Sequence, residues 1–177
     1  MQHVWFEAVG EASVPAATAF ARVVPRDDST LFHRYLVLPG VTAVSDATGP
    51  WTAPGRTRTV HLSDGSRFRE HLDVYEPPAA PDAVGRFDYT VTNYTKTLAH
   101  LVSEAEAHWR FEPAGAAGER SRIRWRYGFR PLPARRFVVE HLIGPVWRRS
   151  MARSMTVCVA AADGTDGYAA PTPPPRP

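Results

Sequence analysis

Glu70 is the residue whose type and position most call for chemistry. It alternates with Phe68 and Leu72, which puts its carboxylate on the apolar face of a strand expected over 67–74. A bare carboxylate on such a face is costly, so it needs a partner or a raised pKa. The partner depends on a turn. Ser63-Asp64-Gly65-Ser66 separates two extended runs, 57–62 and 67–74, and Asp-Gly between such runs is a strong hairpin signal. A three-residue loop with Gly65 in the left-handed region sets Arg58 opposite Glu70, and a bidentate ion pair then stands on the inner wall. A two-residue loop sets Thr59 there instead, and the pair disappears. With Arg58 in place two roles are open. One is a structural ion pair; the other makes Glu70 a proton acceptor while Arg58 steadies an enolate or carboxylate of a ligand.

Further polar groups share that face. Tyr89, Tyr127 and Asn93 can donate hydrogen bonds to a ligand carbonyl, and Tyr89 could stabilise enolate charge. Ser150 and Ser154 do the same from a late helix. Phe68, Trp109, Trp125, Trp147 and Met151 supply apolar wall, while Ala105 and Ala107 are small enough to leave volume. An aromatic wall with a few polar accents is the composition of a ligand cavity, and equally of a filled core.

Other chemistries lack their residues. No two of the seven histidines have metal-ligand spacing on one helix. His61, His71 and His108 fall on outward strand positions, and His33 and His100 are placed to rim a cavity mouth. No nucleophile elbow, phosphate loop or Gly-x-Gly-x-x-Gly occurs, so neither a metal nor a nucleotide cofactor is expected. Cys158 is the only cysteine, which excludes an internal disulfide and reads as inert core.

The elements that must position these groups follow from period and punctuation. A first strand runs over 4–14. Pro15 opens a short helix over 16–24, and a second helical segment is expected over 29–38, before Pro39-Gly40. Residues 46–55 read as loop. The hairpin comes next, followed by strands over 86–94, 102–112 and 122–130. In the last, Ile123, Trp125, Tyr127 and Phe129 face one way, and Arg122, Arg124, Arg126 and Arg130 the other. One greasy and one charged face means an antiparallel sheet with one solvated side. Residues 134–162 have helical composition, with a kink or restart expected at Gly144-Pro145. The fold class is therefore α+β: a curved antiparallel sheet of about six to seven strands, two short helices and one long C-terminal helix. Residues 1–162 form one ligand-binding domain, and 163–177 read as a disordered Pro-rich tail.

That order, with these signposts, resembles the START-like, or Bet v 1-like, superfamily of helix-grip proteins. Within it the chain is similar to bacterial members of polyketide cyclase/dehydratase and lipid-transport type. The residues that carry the likeness are Val14-Pro15-Ala16, Gly49-Pro50-Trp51, Pro54-Gly55, and the hairpin 58–65. Trp109, Trp125-Arg126-Tyr127 and Val146-Trp147-Arg148-Arg149 extend it, so that it covers about residues 3–161. The resemblance implies a deep apolar cavity between sheet and helix. It does not imply one reaction, so chemistry must come from the residues lining that cavity.

Totals bound the partners. The chain has 177 residues, 44% hydrophobic and 22% charged, enough for a real core. It has no apolar run of about 18 residues, so no membrane span is expected. Met1 to Phe6 lack a basic region before an apolar run, so no secretory signal is expected and the cytoplasm is the simplest location. A formal charge of +3 does not argue for nucleic acid. The arginine stripe with Arg135-Arg136 raises a weaker RNA-binding reading, but charge runs on strands are usually a solvated face. Two function classes remain. The chain is a cofactor-independent cyclase or dehydratase acting on a hydrophobic polyketide-like molecule, or a carrier of a lipid or aromatic metabolite, as a monomer or homodimer.

Overall fold

A computed structural model describes residues 2–24 and 26–167. Seven strands form one antiparallel sheet in the order β1-β7-β6-β5-β4-β3-β2. They are β1 (Val4–Ala12), β2 (Val41–Ser45), β3 (Thr57–Leu62), β4 (Arg67–Glu76), β5 (Gly85–Thr92), β6 (Val102–Ala114) and β7 (Arg120–Pro131). After β1 come helix α1 (Ala16–Val23) and a single 3-10 turn, Asp28–Thr30; α2 (Lys96–Ala99) precedes β6, and α3 (Gly144–Asp163) ends the described fold. Register shifts interrupt the β2–β3, β4–β5 and β6–β7 ladders. Such irregularities bend a strand and increase its twist, which helps the sheet curve around α3.

The alternation in β7 works as its residue types dictate. Ile123, Trp125, Tyr127 and Phe129 are buried on the inner face, and Trp147 of α3 packs on the last three. On the outer face Arg122, Arg124 and Arg130 pair with Glu11, Glu7 and Glu104 at 3.4, 3.3 and 3.0 Å. Arg126 lies over the Trp5 ring at 4.9 Å. These pairs are exposed and each contributes little to stability.

Helix α3 packs on β1 at a point where only glycine fits. A Cβ on Gly10 would stand 2.5 Å from Val159 Cγ2 and 2.9 Å from Met155 Cγ. Its far end is tied down by Arg22 Nη1, which donates to the Ala162 carbonyl at 2.7 Å, and by Asp163, which accepts from the Ser13 amide at 2.7 Å. The break expected at Gly144-Pro145 takes a definite form. Residues Val138–Ile143 make a π-helical turn, and the Gly144 amide reaches back five residues to the Val139 carbonyl. Pro145 then sits in the first turn of α3, where its missing N–H costs nothing.

Two expectations are corrected, and a third falls largely outside the described residues. The helical segment expected over 29–38 shrinks to Asp28–Thr30. Beyond it Tyr35 and Leu38 exchange backbone hydrogen bonds at 3.0 and 2.9 Å around Leu36, whose φ is 51°. Gly40 lies against the Arg34 backbone so closely that a Cβ would meet it at 2.4 Å. The chain spends this stretch on a compact turn because Pro39-Gly40 must lead directly into β2, a strand the sequence pattern did not mark. The strand expected over 86–94 stops at Thr92. The tail expected from residue 163 lies, from residue 168 on, outside the described residues; Asp163 itself ends α3, and Gly164 caps it with a φ of 71°.

Candidate functional site

The hairpin turn resolves in favour of three residues. The Leu62 amide donates to the Ser66 carbonyl at 2.9 Å, leaving Ser63, Asp64 and Gly65 in the loop, with Gly65 at φ 75°. That loop sets Arg58 opposite Glu70. Arg58 Nε donates to Glu70 Oε2 at 2.6 Å, while its Nη2 donates to Asp28 Oδ2. Arg58 also lies over the Trp51 ring at 4.2 Å. One guanidinium thus holds two carboxylates and is covered on one face by an indole. The side chains of Arg58, Asp28 and Glu70 are only 12%, 14% and 6% exposed, so solvent screens them little.

Burial is the largest influence on both acids. It pushes the Glu70 carboxyl up to about 7; the neighbouring Arg58 opposes that rise and Asp28 adds to it. Asp28 is raised for the same reason, against the pull of Arg58. Two carboxylates on one guanidinium cannot both ionise freely. Tyr89, buried and facing Glu70, has its hydroxyl lifted well above the phenol range, so it stays an O–H donor. Tyr94 and Tyr127 are raised likewise by burial, and their hydroxyls meet at 3.2 Å.

Between the sheet and α3 lies a cavity of about 110 Å³. That is several times what one water needs. Glu70, Phe68, Tyr89, Trp125, Tyr127, Trp147, Ser150, Met151 and Ser154 all line it, joined by Asp28 and Tyr94. His33 stands exposed in the same wall, whereas His100 does not line it. The indole Nε1 atoms of Trp125 and Trp147 are buried with no hydrogen-bond partner among the described residues. An unpaired buried donor costs about 1–3 kcal/mol, so a ligand acceptor is favoured there. A second hollow of about 20 Å³ adjoins the first, lined by Arg58, Trp109 and Phe87, with Asp28, Phe32 and Tyr89 common to both.

Three expected site residues therefore lie elsewhere. Asn93 follows the end of β5, has a φ of 55° and is exposed, so it does not share the inner face. The alternation that placed it inward ends at Thr92, and Tyr94 occupies the inward position instead. Trp109 and Arg58 border the small hollow rather than the large cavity. Trp109 is stacked on Trp125 at 4.8 Å, which turns it into the floor beneath a lining residue. Ala105 and Ala107 are fully buried and line neither space. Asp28 and Tyr94 were not anticipated. Asp28 sat in a stretch read as approaching a helix, and no local pattern links it to a strand thirty residues on.

A curved sheet gripping a long helix, with an apolar cavity between them, defines a helix-grip, START-like protein. The chain belongs to the polyketide cyclase/dehydrase and lipid transport family, whose model matches residues 4–163. Among solved structures it is similar to the Zhui aromatase/cyclase from Streptomyces sp. R1128, with 13% identity and a TM-score of 0.62 over 91% of this chain and 94% of that one. It is also similar to Ara h 8.0201, with 19% identity and a TM-score of 0.56 over 88% and 97%. The protein XoxI from Bacillus cereus matches with 13% identity and a TM-score of 0.57 over 95% and 100%. Likeness at these identities shows the fold. No curated protein matches the chain in sequence.

Proposed function

We propose that the chain is a cyclase/dehydrase-type enzyme that folds a hydrophobic, polyketide-like ketone in the cavity, with Glu70 moving the proton. The observation that carries this is a cavity-lining carboxyl raised to about 7, where donor and acceptor forms are both populated near neutral pH. The family and the aromatase/cyclase fold neighbour support it.

The chemistry can be drawn from the chain's own groups. Ionised Glu70 takes a proton from a methylene between two ketones. The enolate oxygen accepts from the Tyr89 hydroxyl and from an indole N–H, donors already in place before charge develops. The enolate carbon attacks a second carbonyl of the same molecule, which the shaped wall holds nearby. The new alkoxide takes that proton back from Glu70; ionised Glu70 then removes the second proton of the same methylene and passes it to the departing hydroxyl, which leaves as water as the carbon–carbon double bond forms. Arg58 does not touch the substrate in this scheme. It is a positioning residue that holds Glu70 and Asp28.

The test is Glu70→Gln, assayed for cyclised product from a linear poly-β-ketone probe. We expect loss of turnover by about a hundredfold or more with probe binding kept. Full turnover in that variant removes Glu70 from the mechanism. Binding without turnover by the wild-type protein would leave a carrier.

A further inference from the structure

The charge balance of the cavity wall restricts what the cavity accepts. Among the described residues its lining includes two carboxylates, Asp28 and Glu70, and neither a lysine nor an arginine. Among the described residues the one cation in contact with those acids is Arg58, and both of its bonding groups are taken. Its Nε serves Glu70, its Nη2 serves Asp28, its ring-ward face is under Trp51, and it borders the smaller hollow rather than the cavity. Apart from the His33 imidazole, which stands at the exposed edge of the wall, the remaining polar lining is hydroxyl and indole groups. The indole N–H groups of Trp125 and Trp147 have no acceptor among the described residues, and the Tyr89, Tyr94 and Tyr127 hydroxyls stay protonated beside them.

Uncharged donors beside an uncompensated acid select a particular polar end. We propose that the cavity takes a hydrophobic ligand whose polar end is uncharged and accepts hydrogen bonds, a ketone, quinone or phenol, and rejects carboxylates, free fatty acids included. This rests on the reading of the cavity as the ligand site and names the substrate class for it. A ligand carboxylate would bring further negative charge beside two buried acids that already share one guanidinium, with little solvent between them. A neutral ketone adds none. Its proton, once abstracted, only moves from carbon to Glu70, so the net charge of the site is the same before and after enolate formation.

The probes are 2-naphthol and 2-naphthoate, matched in ring system and differing in charge at about neutral pH, titrated by calorimetry and by tryptophan fluorescence. The wild-type protein should bind 2-naphthol about tenfold or more tightly than 2-naphthoate, a modest ratio for a like charge placed near a buried acid. Asp28→Asn and, separately, Glu70→Gln each take away one of the two acids that share Arg58, so 2-naphthoate should tighten toward 2-naphthol in both. Equal or tighter binding of 2-naphthoate by the wild-type protein overturns the proposal while leaving the cavity as a binding site. Failure of both probes to bind overturns it together with the cavity reading. Absence of turnover, with the 2-naphthol preference intact, removes the enzymatic reading alone. The wild-type comparison needs no variant, so it stands even if either substitution impairs folding.

Discussion

Arg58 and Glu70 are direct cross-strand partners in the β3–β4 hairpin, and the 2.6 Å hydrogen bond between them is the inner half of a three-way charge cluster completed by Asp28. The cluster joins three parts of the chain: the 3-10 turn after α1, β3 and β4. It therefore works both as a fold constraint and as the polar end of a cavity. Each role can be tested separately.

Loss of the cation should be the most damaging single change. Arg58→Ala leaves two buried acids facing each other without compensation. Breaking a buried pair by removing one partner costs about 3–5 kcal/mol. Urea unfolding should show that loss for Arg58→Ala and a markedly smaller one for Glu70→Gln, which leaves Arg58 paired with Asp28. Similar losses for the two variants would contradict the arrangement.

The raised Glu70 makes stability depend on pH with a definite sign. Its ordinary value is 4.5 and its folded value about 7, so between them the folded chain holds a proton that the unfolded chain has released. This contribution is fully present below the unfolded value and is lost as pH rises through about 7. Thermal unfolding of wild type and Glu70→Gln should therefore diverge with pH. From about pH 5 to about pH 8 the variant should gain on the wild type by on the order of 3 kcal/mol. A difference that does not change with pH would show that Glu70 titrates as an ordinary carboxyl.

The hairpin turn is held by the conformation of one residue. Gly65 has a φ of 75°, and its Cα side faces Lys96, with Nζ 3.0 Å from where a Cβ would stand. A β-branched residue pays about 1–2 kcal/mol there. Gly65→Val should lower the unfolding midpoint accordingly. If instead the loop shortens to relieve strain, Glu70 loses Arg58, and probe binding in the cavity should fall along with stability.

The contact between β1 and α3 leaves no room for a side chain. Gly10→Val would push branched carbons against Val159 and Met155. Overpacking of that kind costs about 1–3 kcal/mol. Because the same helix carries Trp147, Ser150 and Met151 into the cavity, a folded Gly10→Val protein should also bind 2-naphthol more weakly. Unchanged stability and binding would show that the helix can lift away from β1 without consequence for the cavity.

Much of this molecule is legible in one dimension. The strict alternation of Ile123, Trp125, Tyr127 and Phe129 with arginines identifies a one-sided sheet, because a strand has a period of two and an arginine must reach water. Asp64-Gly65 locates the hairpin, since only a turn needs a residue at positive φ there. Pro145 marks the start of α3, since proline has no N–H to give. Each is a local property, decided by the residue and its immediate neighbours. The order of these elements is also what made the family resemblance readable.

What the sequence left open depends on distances between segments far apart in the chain. Two hairpin lengths were open at 63–66, and one decides whether Glu70 has a partner. Asn93 looked inward because alternation was extended two residues past Thr92, where the chain in fact turns at a φ of 55°. Asp28 gave no signal, because its role comes from meeting Arg58, thirty positions later, behind a cavity wall that Asp28 helps to line. The charge balance of the cavity, and with it the class of ligand proposed, was decided only when the tertiary structure brought two acids to one base in a place that water does not screen.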